Sequence, residues 1–70
     1  MRMNVIVNGQ PFQIEAPVTL AQLLARLQLP HQRVAVEHNQ QVVPRAQWET
    51  QAIGEGDQIE VVQFVGGGSQ

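Results

Sequence analysis

The sequence contains no cysteine and no lysine. Without cysteine there can be no disulfide framework, no thiolate nucleophile and no structural zinc site of the cysteine type. Without lysine, the positive charge rests on Arg2, Arg26, Arg33 and Arg45, scattered along the chain against six carboxylates, for a net charge of −2. That is not the basic footprint of a nucleic-acid binder. Long apolar runs are also missing. Nothing approaches the roughly 20 residues that span a bilayer, and no basic segment followed by an apolar one opens the chain, so a cytoplasmic location without membrane contact is expected. What remains is 70 residues with 43% hydrophobic, 14% charged and 4% aromatic side chains. Those proportions fit one small globular domain with a single modest core, and they exclude disorder, collagen and coiled coil. Such a chain has no room for two lobes around a catalytic cleft.

Local signals then divide the chain. Met3, Val5 and Val7 alternate as a strand should, and Asn8-Gly9 is the strongest short hairpin signal, because both residues tolerate positive φ. Phe12 and Ile14 mark the returning strand, with Pro11 at its start or on an open edge. The period then switches: Leu20, Leu23, Leu24 and Leu27 fall on one helical stripe. Thr19 and Gln22 make a capping box, Val18 and Leu23 a hydrophobic staple, and Pro30 stops the helix at or before Leu29. Arg33 to His38 reads as a third strand and Gln41 to Val43 as a short fourth one halted by Pro44. Arg45 to Gln51 reads as an irregular or single helical turn carrying Trp48, and Gly54-Glu55-Gly56-Asp57 as a tight turn. Gln58 to Val65 is the last strand, and 66–70 a glycine-rich tail.

This order predicts an α+β fold: a mixed sheet of four or five strands with one helix across one face. The first and last strands would run parallel at its centre, in a β-grasp arrangement. The domain is expected over residues 1–65, with 66–70 as its tail. Alternation along the last strand turns Ile59 and Val61 toward the helix and leaves Glu60, Val62 and Phe64 on the open face. Two exposed apolar residues there point to a partner-docking patch, against the plainer reading of an isolated apolar pair.

Side-chain chemistry is scarce. His31 and His38 have no partner at metal-ligand spacing; His31 reads as a solvated loop residue and His38 as a half-buried structural one, and no metal site is expected. Glu55 and Asp57, flanking Gly56, read as turn chemistry and solubility. Gly54-x-Gly56 lacks the helix that a phosphate loop needs, and nothing helical can follow Gly66-Gly67-Gly68. The chain is therefore read as no catalyst, with no bound cofactor. The terminal glycines admit two readings. One is a frayed end or an appended linker. The other is a thin arm whose terminal carboxylate reacts after activation, since glycine threads narrow channels and puts no bulk beside an attacked carbonyl.

The whole chain resembles the ubiquitin-like ThiS family, the sulfur carriers of thiamine biosynthesis. Asn8-Gly9-Gln10-Pro11, Thr19 with Leu23-Leu24, Val34-Ala35-Val36-Glu37 with Asn39, Val43-Pro44-Arg45 with Trp48, and Gly56-Asp57-Gln58-Ile59-Glu60-Val61 before the glycines carry the resemblance. It implies a β-grasp fold and a protein co-substrate rather than an enzyme. A C-terminal glycine would be adenylated by an E1-like adenylyltransferase that uses ATP. It would then become a thiocarboxylate with sulfur drawn from cysteine, and deliver that sulfur to thiazole synthase. Family members end at the glycines, whereas this sequence continues through Ser69 and Gln70. The resemblance thus implies either a protease that removes Ser69-Gln70 or an added extension, with Gly68, or alternatively Gly67, as the modified residue. The small subunit of molybdopterin synthase shares the fold and a Gly-Gly end and is a second carrier reading. A plain β-grasp interaction module with an inert tail is the reading from another class.

Overall fold

Residues 1–64 are described in the computed structural model. β1 (Arg2–Val7) and β2 (Gln10–Glu15) form the expected hairpin, paired from Arg2↔Glu15 to Val7↔Gln10. Its two-residue turn holds Asn8 at φ 50 and Gly9 at φ 81, the left-handed pair that matches strand twist. β2 is an edge strand, so Pro11 leaves no central ladder bond unmade.

α1 (Leu20–Arg26) starts where the cap predicts. The Thr19 hydroxyl accepts the Gln22 N–H, and the Gln22 side chain accepts the Thr19 N–H in return. The next free donors, the Leu20 and Ala21 N–H groups, go to the carbonyls of Gln51 and Trp48. The helix ends before Pro30 can act. Gln28 adopts φ 57, and the N–H groups of Gln28 and Leu29 bond back to the Ala25 and Leu24 carbonyls, a Schellman ending with glutamine in the usual glycine place. A seven-residue helix is not self-sustaining. Its hold on the sheet comes from Leu20, Leu23 and Leu24, each at most 1% exposed.

Three more strands follow: β3 (Val34–His38), β4 (Gln41–Val42) and β5 (Gln58–Gln63). The sheet has five strands in the order β2-β1-β5-β3-β4, with β1 and β5 parallel at the centre and every other pair antiparallel. The core lies between helix and sheet, where Val5, Val36 and Ile59 are fully buried.

Several boundaries differ from the sequence reading. Arg33 lies outside β3 because its backbone is left-handed, at φ 58. Val43 leaves β4 and turns into the core, 7% exposed, as Pro44 opens a single 3-10 turn over Arg45–Gln47. β5 ends at Gln63 rather than running to Val65, which lies outside the described residues. The expected 65/66 domain boundary also falls outside them. No helix among the described residues is long and apolar enough to cross a membrane.

Candidate functional site

Residues directly opposite across a strand pair share a face. Val36 opposite Val61, and His38 opposite Ile59, therefore lie on the helix side. On the other face Ala35 lies opposite Val62 and Glu37 opposite Glu60, with Val42 across from Glu37 on β4. Among the described residues nothing covers this face. Val62 is 51% and Phe64 57% exposed, and Glu60 is exposed beside them. The three side chains proposed from alternation therefore do stand in solvent. Two carboxylates directly opposite one another repel, so the Glu37–Glu60 pair adds nothing favourable to the sheet.

The end of β5 is held unevenly. β1 stops at Val7, and Asn8 takes over: its N–H bonds the Ile59 carbonyl at 2.9 Å and its side-chain Oδ1 accepts the Val61 N–H at 2.8 Å. Asn8 thus makes the hairpin turn and caps the neighbouring strand together. Past that point, among the described residues, β5 is bonded on the β3 side, through Val34↔Gln63 and then the Phe64 N–H to the Arg33 carbonyl at 2.8 Å. The chain leaves the sheet from this one-sided support. Gly66, Gly67 and Gly68, the glycines assigned to chemistry, lie outside the described residues, as do Ser69 and Gln70.

At the other end of β5, sequence reasoning missed a network. The Asp57 carboxylate accepts the His38 Nε2–H at 2.6 Å, the Gly54 N–H at 2.7 Å and the Asn39 amide at 3.2 Å. Partial burial works to raise the Asp57 carboxyl. The hydrogen bonds from His38, Gly54 and Asn39 outweigh it and hold the group below its ordinary value. Asn39 also accepts the Gln58 N–H, and Glu55 accepts both the N–H and the side-chain amide of Asn4. The Ile6 N–H meets the Asp57 carbonyl and the Gly56 N–H meets that of Asn4. Glu55 and Asp57 are thus corrected from solubility residues to ties that seat the start of β5 between β1 and β3. His38 is half-buried and structural, as expected.

The V-P-R-x-x-W stretch is a brace. Trp48, 5% exposed, donates its indole N–H to the Val43 carbonyl at 2.8 Å. The Arg45 guanidinium lies 4.5 Å from the indole centroid and also donates to the His31 carbonyl. A cleft of about 520 Å³ opens beside them, lined by Leu24, His31, Arg45, Trp48 and Glu49 among others. The Trp48 indole N–H and one Arg45 N–H are already bonded to backbone carbonyls, and His31 itself is exposed. Among the described residues no group of three or more His, Asp or Glu is placed to hold a metal ion.

Comparison with known proteins sharpens this picture. The sequence model of the ThiS family matches residues 5–68. The sulfur carrier protein ThiS of Escherichia coli is 38% identical over 66 residues, covering 94% of this chain and all of that protein. A thiazole synthase of Paramagnetospirillum magneticum is 37% identical over 67 residues, and one of Magnetococcus marinus 46% over 66. The chain spans only about a fifth of the length of those two synthases, at 21% and 20%. The crystal structure of the thiamine biosynthesis protein ThiS from Geobacter metallireducens superposes with a TM-score of 0.82 at 32% identity. That match covers 94% of this chain and 100% of the other.

Proposed function

The chain belongs to the ThiS family, and from that premise we propose that it is a cytoplasmic sulfur carrier for the thiazole of thiamine. Its working group is a terminal glycine carboxylate rather than any side chain. One observation carries this reading. Val62 near the end of β5 and Phe64 just past it are both exposed, two residues before the glycines begin, and the family match runs through those glycines to residue 68.

In the proposed cycle an E1-like adenylyltransferase binds Glu60, Val62 and Phe64 and takes the glycine arm into its channel. A carboxylate oxygen of Gly68 attacks the α-phosphorus of ATP and pyrophosphate leaves. Sulfur originating from cysteine and delivered at the sulfide level then attacks the acyl carbon, the C–O bond to AMP breaks, and a thiocarboxylate remains. The domain supplies recognition and the arm supplies reach, while ATP belongs to the partner. Ser69 and Gln70 follow Gly68, so in this reading either a protease exposes the Gly68 carboxylate or the two residues are an added extension, with Gly67 as the alternative terminus. Segments similar to this chain within proteins called thiazole synthase support that enzyme as the recipient, over the molybdopterin alternative.

The test compares the chain ending at Gly68 with the chain ending at Gln70. Each is incubated with the E1-like enzyme and ATP, and pyrophosphate exchange is followed. Exchange is expected from the Gly68 form alone, followed on sulfur supply by a mass change of one oxygen replaced by sulfur. No exchange from the Gly68 form would leave the inert interaction module as the better reading.

A further inference from the structure

Three of the four arginines are occupied within the domain. Arg2 donates to the Gln13 side chain, Arg26 to the Glu15 carbonyl, and Arg45 to the His31 carbonyl above Trp48. Arg33 is exposed, and its guanidinium has no partner among the described residues. Its backbone is left-handed at φ 58, a region that glycine or asparagine fills at lower cost. The place is specific. The Arg33 carbonyl receives the Phe64 N–H, so this cation stands where the chain leaves the sheet toward the glycines. The acidic pair Glu37 and Glu60 lies four residues along each strand from that bond, roughly 13 Å away at strand rise.

We infer that Arg33 is a positioning residue for activation of the tail, pairing with a carboxylate on the rim of the activating enzyme's channel. This rests on the proposed function. Gly68 lies four residues beyond Phe64, up to about 14 Å along an extended arm. An arginine side chain is too short to follow the reacting carboxylate that far, so Arg33 acts on docking and not on the transferring group. A channel that admits the arm brings its rim against the root of the arm, where Arg33 stands exposed with no partner among the described residues. The complementary group is an acid. Guanidinium and carboxylate match geometrically, which gives the docked domain an orientation as well as affinity.

The test measures pyrophosphate exchange by the E1-like enzyme with the chain ending at Gly68, as wild type, Arg33→Glu, Arg33→Lys and Arg33→Gly. Arg33→Glu is expected to raise KM about tenfold or more with kcat little changed, and to flatten the dependence of KM on ionic strength. Arg33→Lys recovers most of the loss. Arg33→Gly weakens docking while its thermal midpoint stays level or rises, because glycine accepts the left-handed backbone. Arg2→Glu, the same charge change at the opposite end of the sheet, leaves KM near wild type. An unchanged KM for Arg33→Glu, or a fall confined to kcat, overturns the inference while wild-type exchange still upholds the carrier reading. Absence of wild-type exchange removes the carrier reading itself.

Discussion

Replacing Asp57 tests how the sheet's centre is seated. Its carboxylate gathers donors from three places, His38, Asn39 and Gly54, and its side chain and that of His38 are only 18% and 17% exposed. A net contribution of about 1 kcal/mol per neutral bond, with more for a bond to an ionised group, gives about 3 kcal/mol for Asp57→Ala. A domain of this size has roughly 4–10 kcal/mol in all, so the loss is a large share and lowers Tm by about 10–20 °C. Asp57→Asn keeps an acceptor oxygen and should cost about half as much. The pH dependence carries a definite sign. The folded-state carboxyl lies below its ordinary value, so its contribution is complete above the unfolded value near 4 and disappears as pH falls through the folded one. Urea unfolding of wild type and Asp57→Asn from neutral to acid pH should therefore show a gap that closes on acidification. A loss below about 1 kcal/mol for Asp57→Ala at neutral pH, or a gap independent of pH, would refute the network's role. Pyrophosphate exchange by Asp57→Asn should keep a wild-type KM, because the network sits at the far end of β5 from the arm.

Phe64→Asp, at a position 57% exposed, should leave Tm within about 2 °C of wild type and raise KM for adenylation at least tenfold; unchanged kinetics would remove the docking patch. Trp48→Phe loses the bond to the Val43 carbonyl and part of the platform under Arg45, for about 1–2 kcal/mol by chemical denaturation. If Trp48 were instead a ligand contact, its substitution would leave stability near wild type.

The parts legible in the sequence are those written in local chemistry. Asn8-Gly9 specified the hairpin because few pairs accept two positive φ angles, and Thr19 with Gln22 located the helix start to the residue. Alternation placed Ile59 and Val61 on one face and Glu60 and Val62 on the other. What stayed hidden depends on contacts between segments far apart in the chain. The second role of Asn8, as acceptor for Val61, needs β5 to arrive from 53 residues away. Asp57 and Glu55 look like turn residues until His38 and Asn4 are brought to them. Arg33 reads as strand because the alternating Val34 and Val36 follow it, and only the backbone angle removes it. Within the candidate site, the direction of the side chains was readable, while the one-sided support of β5 was not.

The parallel pair at the sheet's centre also orders events during synthesis. β1 is the first strand made and β5 the last, yet they are neighbours, and Ile59 on β5 is fully enclosed by the elements that precede it. A nascent chain halted before residue 58 has a gap where its middle strand belongs, with β1 and β3 each exposing an unpaired edge. The polypeptide can close up only after the ribosome has released the stretch that immediately precedes the glycines. Prematurely ended products thus remain open to proteolysis.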